Sequence, residues 1–229
     1  MKRKEKIELI EQDKYLDKFI NDKDYHIRVA VAKRGYRLDK LINDESWLVR
    51  AIIAKQGYRL DKLINDEDWR VKKEIAEQGY GLNKLVNDEN WNIRLKIAEQ
   101  GYGLDKLIND PNLWVRKEIA KQGYKLDILI NDPDPYVRSI VARQGYRLNV
   151  LINDPDWHVR LEIAEQGYGL NKLVNDENWN IRLEVAKQGC GLNELISDPN
   201  ERVRNAVIDY CKNNPEKQEC KNILLLNKI

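Results

Sequence analysis

Apolar and polar residues recur along most of the chain in a fixed pattern of 22 positions. Gly opens eight copies of this pattern, and a ninth copy without the leading Gly begins at Asp13. The nine copies cover residues 13–210, which leaves 12 residues before them and 19 after them. A repeat of this length is typical of a solenoid, in which each unit buries its apolar face against its neighbours. The leading glycines are Gly35, Gly57, Gly79, Gly101, Gly123, Gly145, Gly167 and Gly189.

The second half of each copy has the pattern of an amphipathic helix. When positions are numbered from 0 at the Gly to 21, position 9 is Asp in all nine copies and is followed by Pro or Glu in eight. Asp before Pro or Glu is typical of a helix N-cap, so we expect a helix from position 10 to about position 21. The next Gly would end that helix, with the following Tyr packed near the helix end, as Tyr58 on Ile53.

The first half of each copy predicts one short helical turn. Its apolar positions 3, 6 and 7 suit a single α or 3₁₀ turn, and Asn-Asp follows where a strand would need continued alternation. We therefore expect an all-α solenoid without a sheet, in one domain that spans residues 1–229. Residues 1–12 and 211–229 would form helical end caps, with Ile7, Leu9 and Ile10 at one end and Ile223 to Leu226 at the other. A membrane anchor is the alternative interpretation of the second tail.

A charged side chain lies in the apolar stripe of the long helix. Position 15 is Arg in eight copies and Lys in one, between apolar positions 14, 18 and 19. Because a guanidinium in a core-facing stripe needs a partner, we expect it to pair with the Asp of the same or the adjacent repeat. Phosphate binding is the alternative role for these arginines. The predicted ladder comprises Asp44, Arg50, Asp66, Asp88, Arg94, Asp110, Arg116, Asp132, Arg138, Asp154, Arg160, Asp176 and Arg182.

The helix pattern Asp-Pro-x-x-x-Val-Arg-x-x-Ile-Ala, seen at residues 132–142 (with Val141 in the Ile place) and 154–164, resembles HEAT-like repeats. The short period, with Leu-x-x-Leu before the Asp, is more similar to the leucine-rich repeat variant family. This resemblance covers residues 13–210 and implies a right-handed superhelix of alternating α and shorter, partly 3₁₀ helices. Some members of the variant family carry an iron–sulfur centre on an N-terminal cysteine cluster. That cofactor is not implied here, because the first cysteine is Cys190.

Composition and charge narrow the function classes. Forty basic and 38 acidic residues leave a net charge of +2, which is not the signature of a strongly basic nucleic-acid binder. No run of 18 apolar residues predicts a membrane span, and the first residues do not resemble a signal peptide. Three cysteines, all after residue 189, suit a reduced, cytoplasmic protein better than a disulfide scaffold.

The pattern gives no constellation typical of catalysis or of a metal site. Most polar residues are copies in equivalent roles, whereas catalysis needs a few residues in different roles. His26 and His158 are six repeats apart, and Cys190, Cys211 and Cys220 lack Cys-x-x-Cys spacing. A disulfide or reactive pair between Cys211 and Cys220 stays an open alternative. We therefore expect no enzymatic activity, no metal and no cofactor.

Two copies depart from the pattern at the start of the long helix. Position 12 is Trp in five copies, but Leu113 and Pro135 take it in two central copies, and the aromatic residue moves to position 13. One helical residue turns a side chain by about 100°, so these rings should face solvent. Drift of an unconstrained surface is the alternative explanation. The predicted partner patch contains Trp114, Tyr136 and His158, bordered by Lys117, Ser139 and Leu161.

These features favour a non-enzymatic scaffold that binds another protein or peptide through the exposed, variable ridge of its long helices. The HEAT resemblance also implies macromolecular docking, with a few DNA-acting relatives. The alternative function is therefore binding of a nucleic-acid backbone through a row of lysines and the arm from Lys2 to Lys4, although a solvated mixed-charge face explains the same residues. That row contains Lys18, Lys40, Lys62, Lys84, Lys106 and Lys172.

Overall fold

The computed structural model describes residues 1–226, so the last three residues of the predicted C-terminal cap lie outside the described part. Within residues 1–226 every regular element is a helix and no strand occurs, which confirms the predicted all-α repeat architecture. Short and long helices alternate. The chain divides into two compact units, unit 1 (Met1–Ile119) and unit 2 (Ala120–Ile229). Within each unit, long helices of successive repeats pack against each other, as Trp47–Lys55 does on Trp69–Glu77 and Pro135–Arg143 on Trp157–Glu165.

Unit 1 alternates nine-residue and four-residue helices. Its helices are α1 (Arg3–Glu11), α2 (Leu16–Phe19), α3 (Tyr25–Lys33), α4 (Leu38–Leu41), α5 (Trp47–Lys55), α6 (Leu60–Leu63), α7 (Trp69–Glu77), α8 (Leu82–Leu85), α9 (Trp91–Glu99) and α10 (Leu104–Leu107). The next long helix, α11 (Leu113–Lys121), contains the division between the units.

Unit 2 continues the same alternation and ends in a 13-residue helix followed by a nine-residue helix. Its helices are α12 (Leu126–Leu129), α13 (Pro135–Arg143), α14 (Leu148–Leu151), α15 (Trp157–Glu165), α16 (Leu170–Leu173), α17 (Trp179–Lys187), α18 (Leu192–Leu195), α19 (Glu201–Asn213) and α20 (Gln218–Leu226). The short elements are single α-helical turns, so the predicted choice between α and 3₁₀ is resolved as α in the described residues.

The long helices begin two residues later than the sequence pattern predicts. Helix α7 starts at Trp69, and its N-cap is Asp68, whose carboxylate accepts a hydrogen bond from the backbone N–H of Arg70 at 2.9 Å. The position-9 residue Asp66 lies before the cap and accepts from the N–H of Asp68, also at 2.9 Å. The prediction that the position-9 Asp is the N-cap is therefore wrong. Two successive hydrogen bonds from backbone N–H groups to Asp side chains therefore precede the first turn of the helix. Asp66 accepts the first bond, and the N-cap Asp68 accepts the second.

The ends of the long helices follow the predicted glycine motif. Helix α7 is followed by Gln78 and then by Gly79, which has a φ of 71°. The N–H of Tyr80 donates to the carbonyl of Ile75 at 3.3 Å, which is the bond that closes such a motif. A side chain at Gly79 would be strained at this φ, and this is why a glycine recurs at the position.

The residue before each short helix is also left-handed. Four copies place Gly there, four place Arg or Lys, and the first places Tyr15. A left-handed residue with a side chain costs on the order of 1 kcal/mol or more. The glycines are Gly81, Gly103, Gly169 and Gly191, and the basic residues are Arg37, Arg59, Lys125 and Arg147.

The core of each unit consists of the apolar stripe of the long helices and the inner face of the short ones. In α7 the stripe residues Val71, Ile75 and Ala76 are fully buried. Leu63 and Ile64 from the preceding short helix and its C-cap are also buried. Burial of one such branched side chain contributes about 1.5–3 kcal/mol, so the repeated stripe supplies most of the stability of a unit.

The first residues are one further copy in register rather than an unrelated cap. Helix α1 spans positions 12–20 of a copy that would precede residue 13, and Ile10 in its stripe is buried against the first unit. Lys6, at position 15 of this copy, places its Nζ 2.5 Å from a carboxylate oxygen of Asp22. The sequence pattern missed this copy because Glu and Lys replace two of its usual residues.

The C-terminal cap forms only in part as predicted. Helix α20 packs on α18 and α19 and buries Ile223, but Leu225 and Leu226 are 81% and 79% exposed. Cys211 and Cys220 are buried between these last helices. Cys190 takes the place of the Tyr that follows the Gly in the other copies; it is half-buried, and its Sγ lies 3.1 Å from Oδ1 of Asn171.

Candidate binding surfaces

In unit 1 the position-15 arginine joins each repeat to the next. Arg50 donates from Nε and Nη2 to the two carboxylate oxygens of Asp66, at 2.7 and 2.9 Å, and from Nη1 to the carbonyl of Asp44 at 2.7 Å. The acid therefore comes from the following repeat, 16 residues later. The other rungs of unit 1 are Lys6 with Asp22, Arg28 with Asp44, Lys72 with Asp88, and Arg94 with Asp110.

Unit 2 contains three rungs with the same geometry in its described residues: Arg138 with Asp154, Arg160 with Asp176, and Arg182 with Asp198. Of the remaining predicted ladder residues, Arg116 donates from Nη1 to the carbonyl of Asp110 at 2.7 Å. Asp132 accepts from the N–H of Asp134 at 2.9 Å.

The ladder charges are mutually compensated. The hydrogen bond to Asp176 is the largest cause that raises the pKa of Arg160 above its usual value. Burial alone would raise the pKa of Asp198, but hydrogen bonds from Arg182 and from the backbone of Asn200 lower it overall. Among the described residues, no buried side-chain nitrogen or oxygen lacks a hydrogen-bond partner. The guanidinium donors of the rungs are thus used within the fold, which favours the structural role over phosphate binding.

A second ladder, formed by glutamines at position 21, was not found from the sequence. Nε2 of Gln100 donates to the carbonyl of Ala76 at 2.6 Å, and Nε2 of Gln166 donates to that of Ala142 at 2.9 Å. Each bond links the end of one long helix to the last turn of the previous one. Gln at position 21 in seven copies was the available signal, because a helix end leaves carbonyls without partners.

On the long-helix ridge of unit 1, Trp114 stands apart from the position-12 tryptophans. The backbone N–H of Trp114 is capped by Oδ1 of Asn112 at 2.9 Å, and the ring is 51% exposed. Nζ of Lys117 lies 4.9 Å from the ring centroid. By contrast, Trp47 is half-buried, with the guanidinium of Arg70 only 3.6 Å from its ring. Trp114 therefore presents a large apolar surface that its own unit leaves exposed.

On the ridge of unit 2, Tyr136 is also 51% exposed and lies beside His158. The two ring centroids are 5.4 Å apart, and His158 stacks on Trp157 at 3.7 Å. Nδ1 of His158 is 2.9 Å from a carboxylate oxygen of Asp156. Burial would raise the pKa of Asp156, but hydrogen bonds from the backbone and ring of His158 lower it. This acid fixes the imidazole, so Tyr136 and His158 form one ordered aromatic pair.

The predicted border residues differ in their access to solvent. Ser139 is buried, and its hydroxyl donates to the carbonyl of Tyr136 at 3.0 Å, so its place on the border of an exposed patch is wrong. Position 16 faces the neighbouring helix when its side chain is this small. Leu161 and Lys117 are half-buried and remain accessible in part.

Two grooves on the same helix face were missed from the sequence. In unit 1 a groove of about 420 Å³ lies between α1 and α3, above Ile7, Val29 and Ala30. In unit 2 a groove of about 490 Å³ lies between α17 and α19, beside Leu183 and Ala206. Both contain Ala at position 17, where the other copies have Ile, Glu or Lys, and the small side chain opens the space.

The predicted lysine row lies on the short helices and is exposed. Unit 1 has Lys at position 5 in every copy, namely Lys18, Lys40, Lys62, Lys84 and Lys106. Unit 2 retains only Lys172 at this position, and its Nζ donates to Oδ1 of Asn153. The other copies of unit 2 have Ile128, Val150 and Glu194, so the row is continuous in unit 1 and interrupted in unit 2.

Within residues 1–226, no group of three His, Cys, Asp or Glu side chains converges as metal ligands would. Over the same residues, no helix has the length and apolar character needed to span a membrane. The sequence matches no protein-family model and no curated protein. The chain is thus a helical-repeat protein by its own geometry, without a family match that favours either the leucine-rich repeat variant or the HEAT-like repeat.

Proposed function

We propose that the chain is a non-enzymatic repeat scaffold that binds another protein or peptide through the ridge of its long helices. The observation that carries this proposal is the exposure of Trp114 in unit 1 and of Tyr136 in unit 2, each 51%. Aromatic side chains that pack on a partner often dominate the binding energy of an interface. The ordered pair of Tyr136 with His158 supports the same role, because an ordered ring loses little entropy on binding.

The test uses single alanine variants, because the two residues belong to different units. The purified full chain captures partners from a cell lysate, and mass spectrometry identifies them. Each partner is then purified and titrated against W114A and Y136A by calorimetry. We expect at least one variant to weaken binding by about tenfold or more. Tyr102 and Tyr168, which are exposed but belong to helix ends, provide matched control variants Y102A and Y168A.

A second candidate function is binding of a nucleic-acid backbone by the lysine row. The unbroken, exposed row of unit 1 is the observation that favours it. Asp39 and Asp61 stand directly before two of these lysines and reduce its field. A gel shift with single-stranded and duplex oligonucleotides, repeated over a salt series, tests this function. Backbone binding would weaken steeply with salt and would be lost in K40E/K62E, whereas equal mobility at low salt excludes it.

We further propose that the repeats belong with the leucine-rich repeat variant and HEAT-like short helical repeats, and that the protein acts in the cytoplasm. The alternation of four-residue and nine-residue helices supports the first statement, and the three free thiols support the second. An experimental structure that gives the handedness of the helix stack tests the family, and cell fractionation tests the compartment.

A further inference from the structure

Two apolar side chains stand exposed on the short-helix edge of unit 2. Ile128 on α12 is 42% exposed and Val150 on α14 is 51% exposed. Both occupy position 5 of adjacent repeats, where six other copies have Lys and one has Glu. The fold does not require an apolar residue here, since the same short helix forms with Lys in the other copies.

Each of these apolar residues follows an exposed basic residue by three positions. Lys125 precedes Ile128, and Arg147 precedes Val150. The two basic residues have left-handed backbones, with φ of 46° and 48°, where four other copies have Gly. Their side chains extend over the neighbouring rings of Tyr124 and Tyr146. The same left-handed conformation occurs at Arg37 and Arg59 of unit 1, so the backbone alone does not distinguish this edge.

Arg147 on this edge is less compensated than the equivalent arginines of unit 1. In unit 1, Arg37 lies 2.8 Å from a carboxylate oxygen of Asp17, and Arg59 lies 3.2 Å from one of Asp61. In unit 2, Asn149 replaces the Asp that would stand two residues after Arg147. No ion pair involves Arg147 among the described residues, and its guanidinium lies 6.0 Å from the centroid of the Tyr146 ring.

We propose that this edge of unit 2, formed by Lys125, Ile128, Arg147 and Val150, binds a linear peptide segment that carries acidic and apolar side chains. The apolar side chains of the segment would cover Ile128 and Val150, and a carboxylate of the segment would lie near Arg147. A nucleic-acid strand offers only sugar CH2 groups and thymine methyl groups, whereas Leu, Ile or Val side chains of a peptide can cover Ile128 and Val150. The proposal goes beyond the long-helix ridge, because it concerns another surface and names the chemistry of the ligand.

The test uses a phage-displayed library of random dodecapeptides and the purified full chain. The library is selected in parallel on the natural chain and on I128K/V150K, which restores at both positions the residue that most other copies carry. The natural chain is expected to enrich peptides with Asp or Glu beside Leu, Ile, Val or Phe. One enriched peptide, labelled with fluorescein, should bind I128K/V150K and K125E/R147E about tenfold more weakly than the natural chain.

Several results would overturn the proposal. These are enrichment of basic peptides, equal enrichment on both chains, or no enrichment at all. Sedimentation of the natural chain and of I128K/V150K tests whether a second copy of the chain occupies the edge. If the natural chain is a dimer and the variant is a monomer, a peptide ligand is also refuted. The variant Y136A keeps the edge intact and should bind the labelled peptide normally, so that the ridge and the edge can fail separately.

Discussion

Unit 1 and unit 2 have the same Arg/Asp rungs, yet their short-helix edges differ in chemistry. Arg50 with Asp66 in unit 1 and Arg160 with Asp176 in unit 2 have the same bidentate geometry. On the edge, five lysines follow one another in unit 1, whereas unit 2 has two aliphatic residues, a lysine and a glutamate. The difference shows that the rungs and the stripe determine the fold, while the edge can change without altering it.

The largest expected effect comes from removal of one shared rung. Arg160→Ala leaves the carboxylate of Asp176 without its bidentate partner in a buried site, so we expect unit 2 to lose about 3–5 kcal/mol of stability. Urea unfolding followed by far-ultraviolet circular dichroism measures this loss. Arg204→Ala is the matched control, since Arg204 donates to the carbonyls of Asp198 and Pro199. Equal losses in the two variants would show that the ion pair of Arg160 with Asp176 adds no stability beyond the bonds to backbone carbonyls.

The next effect is the dependence of the rungs on pH. The pKa of Asp198 is lowered from its usual value of 3.8, so its contribution to stability is complete above about pH 4 and is lost as the pH falls through the lowered pKa. Asp198→Asn should be less stable than the natural chain at neutral pH and should lose less stability in acid. Urea unfolding at neutral pH and at about pH 3 measures both slopes. If the unfolding free energies of the natural chain and of Asp198→Asn changed equally between the two pH values, the assigned role of Asp198 would be contradicted.

A smaller effect separates the two residue types before the short helices. A Cβ added at Gly169 would lie 2.4 Å from Cδ1 of Ile152, and the backbone there has a φ of 63°. Gly169→Arg should therefore destabilise unit 2 by about 1–3 kcal/mol. Arg147→Gly should change stability by less than about 1 kcal/mol, since relief of strain opposes the greater freedom of the unfolded chain. Thermal unfolding measures the stability of both variants. An unchanged stability in Gly169→Arg would contradict this account.

The glutamine ladder should contribute less per residue than the Arg/Asp rungs. Gln166 donates to the carbonyls of Ala142 and Glu162 at 2.9 and 2.8 Å. Gln166→Ala should cost about 0.5–1.5 kcal/mol, because water can replace part of the bond at an exposed helix end. Urea unfolding of Gln166→Ala and of Arg160→Ala under the same conditions compares the loss of unfolding free energy from one residue of each ladder. A loss as large as that of Arg160→Ala would reverse their order.

The smallest expected effect on stability is that of exchanging the edges. Ile128→Lys with Val150→Lys gives unit 2 the position-5 residue of unit 1, and we expect a change within about 0.5 kcal/mol. The reverse pair, Lys40→Ile with Lys62→Val, should be equally neutral. Thermal unfolding checks both, and a large loss in either would show that the edge contributes to the fold.

The repeat architecture could be predicted from sequence because its causes are local and recur nine times. The stripe of Val71, Ile75 and Ala76 and the stop at Gly79 follow from helix periodicity and from left-handed geometry. The start of the long helix was placed too early, because Asp66 and Asp68 both bond to nearby backbone and either can resemble a cap. The copy in residues 3–11 escaped notice because two of its stripe residues are charged.

The surfaces were harder to predict, because exposure depends on the neighbouring repeat. Departures from the pattern at Trp114 and Tyr136 were visible in one sequence, and both rings are exposed. Ser139 could not be recognised as buried, since helix periodicity places position 16 outside the apolar stripe. The departures at Ile128 and Val150 were equally visible in the sequence, but the sequence does not show that both side chains are exposed.

The central claim is that residues shared by the copies hold the fold, whereas exposed departures from the pattern bind ligands. The most direct test measures unfolding and binding on the same preparation of I128K/V150K. The account predicts an unfolding midpoint equal to that of the natural chain, together with about tenfold weaker binding of the selected acidic peptide. Unchanged binding, or a fall in stability that accompanies the loss of binding, would contradict it.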